Sequence, residues 1–232
     1  MEIKSSKTIP FKNSISTIAT IYTAFLILSN LTASKVSQIM GLHFTAAIFL
    51  FPFTYIIDDI LTEVYGFQIS RRIIWTGLLG NLIVVFGSIF VIFLPSSEHF
   101  HNQNAFLAVF GVSLRILIAS VSAYIFGEFI NSIFLAKMKI YTKGRHFWAR
   151  ALLSTMIGAI FDTSIFMFVA FTNIYDFKMI VGMIWVEYLI KIAVEVMVLP
   201  ITYKVVKYLK ARDGIDVYDV NTKFNPFSMK ID

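Results

Sequence analysis

Long uncharged runs alternate with short polar segments along most of the chain. The first uncharged run extends from Asn13 to Ser34 and the second from Val36 to Ile57. Runs of this length are typical of membrane-spanning helices, which need about 20 mostly apolar residues. Open strands cannot cross lipid with unpaired backbone groups, so the runs are expected to be helical. The pattern predicts an all-α polytopic membrane protein.

The pattern divides the chain into one transmembrane domain, residues 1–212, and a cytoplasmic tail, residues 213–232. A span takes about 20 residues, so with its loops the chain has room for about six helices. The helices are predicted over residues 14–34, 44–65, 72–95, 105–136, 147–172 and 179–204. Pro200 predicts a kink near the end of the last helix.

Composition agrees with this prediction. The chain has 232 residues, of which 57% are hydrophobic and 15% are charged. Soluble domains average about 45–50% apolar and about 25% charged residues. The net charge of +6 does not indicate a nucleic-acid partner, because the basic residues stand between apolar runs and not along one face. The chain contains no cysteine, which excludes disulfides and thiolate metal sites.

Most basic residues fall in alternate connections, whereas the other connections hold only Lys35 and Lys178. Those in the alternate connections include Lys4, Lys7 and Lys12 in the N-terminal segment, Arg71 and Arg72 in the second connection, Lys137, Lys139, Lys143, Arg145 and Arg150 in the fourth, and Lys204, Lys207, Lys210, Arg212, Lys223 and Lys230 at or after the end of the sixth helix. Positively charged loops stay in the cytoplasm. Both termini are therefore expected to be cytoplasmic, with Arg71 and Arg72 as topological anchors.

Acidic residues interrupt the second predicted helix. Asp58 and Asp59 follow an uncharged run that contains Phe51 and Tyr55. Ionisable groups at membrane depth are costly and usually face a protein interior or a wet cavity, so Asp58 and Asp59 are candidate ligand-binding residues. Glu63 lies close to the end of this helix and is expected near cytoplasmic water.

The fifth and sixth helices carry further candidates. Asp162 requires a cation or a ligand, and Arg115 on the fourth helix is its predicted partner. Glu187, Lys191 and Glu195 follow one another at four-residue spacing, which predicts a salt ladder within the sixth helix. That ladder leaves one carboxylate over, and Glu187, beside Trp185, is then free to meet a ligand.

Enzyme templates fit the sequence poorly. No HExxH, no GxSxG and no phosphate-binding glycine loop is present, and the four histidines lie at helix ends or in loops. The sequence therefore predicts no enzyme, no metal and no cofactor. An intramembrane acid–base enzyme that uses the same carboxylates is the least favoured alternative.

Four segments, in this order and spacing, resemble the queuosine precursor transporter family, also called the VUT family: FPFTYIIDDILTEVYG with RRII, LRILIASVSAYIFGEFIN, WARALLSTMIGAIFDTSIFMFVAF and VEYLIKIAVEVMVLP. The resemblance implies a bacterial inner-membrane protein of about six helices that takes up deazaguanine bases for tRNA modification. The small-molecule base and the lipid bilayer are then its partners. A homo-oligomer is possible.

The implied substrate suits the acidic candidates. A guanine-like base presents adjacent N–H donors, which buried carboxylates accept, and aromatic rings cover its faces. The expected site comprises Asp58, Asp59, Asp162 and Glu187 as acceptors, Trp185, Tyr55 and Phe51 as stacking rings, and Arg115 or Asn30 for the base carbonyl. The main alternative is a substrate-binding subunit of an energy-coupling vitamin importer.

Overall fold

Seven α-helices account for most of the residues that the computed structural model describes, which are 13–33, 35–111 and 114–228. The elements are α1 (Asn13–Thr32), β1 (Val36–Ile39), β2 (Leu42–Thr45), a 3₁₀ turn (Ala46–Phe49), α2 (Pro52–Tyr65), α3 (Phe67–Ile92), α4 (Gln103–Phe110), α5 (Leu114–Tyr141), α6 (Phe147–Phe171) and α7 (Phe177–Asp213). Within these residues, four stretches are long and apolar enough to cross a membrane: Asn13–Thr32, Phe67–Ile92, Gln103–Tyr141 and Phe147–Phe171. The prediction of an all-α polytopic membrane protein is confirmed.

The helix expected over residues 44–65 is wrong in its first part. Residues 36–45 form an antiparallel hairpin that turns at Met40 and Gly41, both with positive φ, and a 3₁₀ turn follows it. The helix α2 begins only at Pro52, a residue suited to a first helical position. Its 14 residues extend about 21 Å, less than the hydrocarbon core of a bilayer. Nearly all of them are buried, so protein and not lipid surrounds this helix.

Hairpin, 3₁₀ turn and α2 together make one crossing of the bundle. At the end of the hairpin, Thr45 contacts Glu187 in the first half of α7. At the end of α2, Tyr65 donates to Asp213, the last residue of α7. The two contact points on α7 are separated by about 39 Å of helix. In the non-helical part of the crossing Phe44, Thr45, Ala47 and Ile48 are buried, whereas residues 38–42 at the tip of the hairpin are exposed.

Three other predicted boundaries differ from the structure. The third helix begins at Phe67, directly after Gly66, and not at residue 72. The region predicted as one helix over 105–136 is divided into α4 and α5, with residues 112–113 outside the described part. The last helix continues to Asp213, past Pro200, because residues 202–209 still bury every third or fourth side chain.

The segment after α7 folds back on the bundle and is not a free tail. The backbone N–H of Val217 donates to the carbonyl of Val64, and Asp219 accepts from the N–H of Phe67 at 3.0 Å. Further along, the carbonyl of Pro226 accepts from Trp75 Nε1 at 2.7 Å. Residues 214–228 therefore cover the turn between α2 and α3.

The connections are expected to lie on opposite sides of the membrane. Glu98, between α3 and α4, and Arg145, between α5 and α6, are exposed, and the chain has no native cysteine. A maleimide that cannot cross membranes should label a Glu98→Cys variant in intact cells. It should label Arg145→Cys only after permeabilisation, since positive connections stay inside. Labelling of Arg145→Cys from outside would reverse the orientation.

Asp219 should stabilise the start of α3. The first N–H groups of a helix lack partners within the helix, and a carboxylate at that end also interacts favourably with the helix dipole. Loss of a capping side chain costs about 0.5–2 kcal/mol. Asp219→Ala should therefore lower the melting temperature of the purified protein in detergent. The matched control is Lys223→Ala, in the same segment, and equal melting of both variants would argue against the cap.

Candidate functional site

A cleft opens between α1, α5, α6, α7 and the 3₁₀ turn. About 480 Å³ of space, which includes open solvent at its mouth, lies between its walls. Its polar wall consists of Asn30, Thr45, Asp162, Glu187 and Lys191. Its aromatic wall includes Phe51, Tyr124 and Phe166. A concave surface with two acids, one ammonium and several rings is suited to a flat polar ligand.

Lys191 is the partner of Asp162. Its Nζ lies 2.5 Å from Asp162 Oδ2 and donates to the hydroxyl of Thr163 at 2.9 Å. The ammonium also lies 4.8 Å from the centre of the Phe51 ring, a cation–π distance. The ion pair therefore joins α6 to α7 directly at the cleft wall.

The predicted pair of Asp162 with Arg115 is wrong. The guanidinium of Arg115 donates to the carbonyls of Val169 and Thr172 at the end of α6. Arg115 lies in the first turn of α5, so it reaches the unpaired carbonyls of a neighbouring helix end and not the bundle centre. The salt ladder predicted for Lys191 is also replaced, because the lysine reaches across to α6 and not along its own helix.

Glu187 is held by the end of the hairpin. Its Oε1 accepts from the backbone N–H of Thr45 at 2.8 Å and from the Thr45 hydroxyl at 2.6 Å. Hydrogen bonds to a carboxylate are shorter and stronger than those between neutral groups. The hairpin that replaces the predicted helical turn thus positions an acid in the cleft wall.

Asp58 and Asp59 lie deeper than the cleft. Both are fully buried and share the amide of Asn131, which donates to Asp58 Oδ2 at 3.3 Å and to Asp59 Oδ1 at 2.8 Å. The hydroxyl of Ser70 donates to Asp58. Neither acid belongs to the cleft wall. The structure makes them part of a second polar layer.

Tyr55 separates the two layers. A Cβ on Gly127 would lie 2.5 Å from the Tyr55 hydroxyl oxygen and 2.5 Å from Cβ of Asp162. A Cβ on Gly158 would lie 3.0 Å from the ring of Tyr55. Only glycine at these two positions leaves room for the tyrosine between α5 and α6.

The predicted site residues therefore divide into two groups. Asn30, Phe51, Asp162 and Glu187 lie in the cleft wall, whereas Asp58, Asp59, Tyr55, Arg115 and Trp185 do not. Trp185 is 55% exposed and packs against Tyr188 on the surface of α7. Sequence reasoning placed Lys191 in a ladder and did not place Thr45 at all. The four-residue spacing of Glu187 and Lys191 already puts both on one face, which was the available signal.

A buried ion network closes the opposite end of the bundle, which we call the basic end. The Glu63 carboxylate accepts hydrogen bonds from two nitrogens of Arg150, at 2.6 and 3.2 Å, and from Lys210 Nζ at 2.6 Å. Lys139 Nζ lies 3.9 Å from Glu63 Oε1. Glu63 is 1% exposed in its side chain, so its expected position near water is wrong. The network joins α2, α5, α6 and α7.

Asp216 completes the network from the C-terminal segment. Its Oδ1 lies 2.5 Å from Lys139 Nζ and 2.9 Å from Lys210 Nζ. Burial alone would raise the pKa of Asp216, but the two ammonium groups outweigh it and hold the pKa below its ordinary value. Asp216 is therefore a carboxylate at neutral pH. Arg71 is also bound here, through the carbonyl of Asn225, and is more than a topological anchor.

Removal of the charge of Glu63 should be strongly destabilising. A Glu63→Gln variant leaves Arg150 buried without its carboxylate, and breaking one side of a buried pair costs about 3–5 kcal/mol. We expect a lower yield of monodisperse protein and a lower melting temperature in detergent. Glu98→Gln, an exposed loop change of the same chemistry, should behave as the unmodified protein. Equal melting of the two variants would contradict this role of Glu63.

Comparison with known proteins shows the family of the chain. Residues 45–205 match the model of a family described as "Putative vitamin uptake transporter". The chain is 29% identical over 182 residues to a "Probable queuosine precursor transporter" of Bacillus subtilis (strain 168), which covers 78% of this chain and 80% of that protein. It is 27% identical over 146 residues, 62% of each chain, to the "Queuosine precursor transporter" of Escherichia coli (strain K12). No solved structure matches the chain.

Proposed function

The chain belongs to the vitamin uptake transporter family, and we propose that it imports queuosine precursors, 7-deazaguanine bases, through the cleft between α1, α5, α6 and α7. It is a multi-pass protein of the bacterial inner membrane, and its relatives are named transporters and not enzymes. The observation that carries the proposal is the pair of acids, Asp162 and Glu187, presented by different helices in one aromatic-lined cleft.

The cleft offers partners for each part of such a base. The adjacent N–H donors of a guanine-like edge suit the carboxylates of Asp162 and Glu187. Lys191 and Asn30 can donate to the ring carbonyl, since both carry N–H groups in the wall. Phe51 and Phe166 supply apolar faces for stacking.

The cleft and the ion network lie toward opposite ends of the bundle. The cleft lies near the first halves of α5 and α7, whereas the ion network around Glu63 closes their last turns. With the basic end in the cytoplasm, as loop charges predict, the cleft faces outward. Import then requires the network end to open while the cleft end closes, as in alternating access around a fixed site.

Neutralisation of the cleft acids should reduce import. In Glu187→Gln the side-chain oxygen still accepts from Thr45, so the fold is preserved while the charge is lost. The double variant Asp162→Asn/Lys191→Met removes the other acid without leaving an unpaired ammonium. A hydrogen bond to a charged group contributes about 1.5–3 kcal/mol, and we therefore expect uptake to fall by about tenfold or more.

The measurement is uptake of radiolabelled 7-cyano-7-deazaguanine by cells that cannot make queuosine. Glu98→Gln, in an exposed loop outside the cleft wall, is the matched control. Membrane amounts of all variants are compared by immunoblot. Undiminished uptake by both cleft variants at normal membrane amounts would refute the assigned site. Equal uptake by cells with and without the gene would refute the function.

A further inference from the structure

Four carboxyl groups below the cleft have no basic partner. Asp58, Asp59, Glu128 and Glu195 are each at most 1% exposed. In the part of the chain that the structure describes, no lysine or arginine nitrogen forms an ion pair with any of them. Glu63 and Asp162, by contrast, each have a cation in contact. We call these four groups the acid cluster.

The acid cluster is also poorly supplied with neutral donors. Thr54 donates to Glu128 Oε1 at 2.7 Å, and Ser70 and Asn131 serve Asp58 and Asp59. Four carboxyl oxygens, on Asp59, Glu128 and both positions of Glu195, receive no hydrogen bond in the described structure. Half of the eight carboxyl oxygens of the cluster therefore have no partner among the described residues.

Two buried polar groups beside the cluster are unpartnered as well. The carbonyl oxygen of Asn131 receives no donor, although its amide group serves Asp58 and Asp59. The Tyr55 hydroxyl has no hydrogen-bond partner either. A protonated carboxyl group carries an O–H that can donate to this carbonyl oxygen. Unpaired acceptors thus point to protons on the acids.

The members of the cluster also lie close to one another. Asp59 lies near Glu195 and Asp58, and Glu128 lies near Asp58 and Asp162. Like charges cannot all be ionised in a medium of low polarity, and such groups become neutral by taking up protons. A polar network retained only for structure is normally fully hydrogen-bonded, so a structural role does not account for the unpartnered oxygens of the described cluster.

The groups around the cluster come from five helices. Lys191 lies near Glu128 but is in contact with Asp162. From α3, Ser70 contacts the cluster. The titratable neighbours are Tyr22 from α1, Tyr55 from α2, Tyr124 from α5, Asp162 from α6 and Lys191 from α7.

We propose that the acid cluster is a proton-binding site, separate from the substrate cleft, through which import is coupled to proton entry. The inference rests on the proposed function. The cluster takes protons from the outer medium while the cleft is open. When the network end opens, the cluster releases them to the cytoplasm together with the base, and each released proton is replaced from outside in the next cycle.

Glu195 is the most informative member, because neither of its oxygens has a partner and it does not line the cleft. Glutamine at this position resembles the protonated carboxyl in shape and charge but cannot release a proton. A Glu195→Gln transporter should therefore still exchange substrate across the membrane, a reaction that needs no net proton movement. It should no longer respond to a pH gradient.

The test uses the purified full chain in lipid vesicles, with radiolabelled 7-cyano-7-deazaguanine as a neutral probe and the membrane potential clamped at zero. Exchange is measured first, without any gradient. Accumulation is then measured with an acidic exterior, with a sodium gradient, and with neither. One proton per substrate predicts that one pH unit raises the inside-to-outside ratio by about tenfold. Glu98→Gln should show the same rise, and Glu195→Gln should show none.

Each outcome distinguishes the two proposals. Absence of exchange by the unmodified protein would refute the transport function and the coupling with it. Exchange without any response to the pH gradient, or accumulation driven by sodium, would overturn the proton site and leave the transport function standing. A full pH response in Glu195→Gln would also overturn it. If Glu195→Gln does not fold, Asp59→Asn is subject to the same criteria.

Discussion

The contact of Glu63 with Arg150 determines how the helices meet at the basic end. Glu63 lies in the last turn of the short helix α2, which protein surrounds. Cations from α5, α6 and α7 meet at its carboxylate. A bidentate guanidinium fixes orientation as well as distance. With the end of α2 held against the end of α7 by Tyr65 and Asp213, α2 lies along α7. The hairpin that precedes α2 then contacts α7 at Glu187.

Charge is distributed unequally along the bundle. At the basic end, acids and bases are paired, and in the cleft Lys191 neutralises Asp162. Between them lies the acid cluster without a cation in contact. Paired charges stabilise a particular arrangement, because separating them leaves a buried ion alone. Unpaired acids leave an arrangement open to change, so the middle of the bundle is the region whose protonation can alter the packing.

The hydrophobic pattern predicted the long lipid-facing helices well and the enclosed ones poorly. The uncharged run of residues 36–57 suggested a spanning helix from residue 44, but apolar side chains buried in protein look the same in a sequence as those facing lipid. Met40–Gly41 marks a two-residue turn, a local signal that the hydropathy of the run obscured.

For the candidate site residues, the sequence indicated which side chains lie inside the bundle but not which residues they contact. Asp162 and Glu187 were recognised because a carboxylate in an apolar helix is conspicuous. Spacing shows which residues share one helix face, but it does not show which neighbouring helix faces them. Lys191 was therefore expected to pair with a glutamate of its own helix, and Arg115 was expected to pair with Asp162. Asp58 and Asp59 were predicted to bind substrate, but the structure places both in the interior and outside the cleft wall.

The closing contact of residues 214–228 has a consequence for the order in which the protein is assembled. Asp219 supplies the acceptor for the first N–H of α3, although the two residues are 152 positions apart. Chains are made and inserted from the N-terminus, and early segments fold before later ones exist. The start of α3 therefore remains uncapped until four further helices have been synthesised. The turn between α2 and α3 reaches its final geometry only after the rest of the bundle has formed.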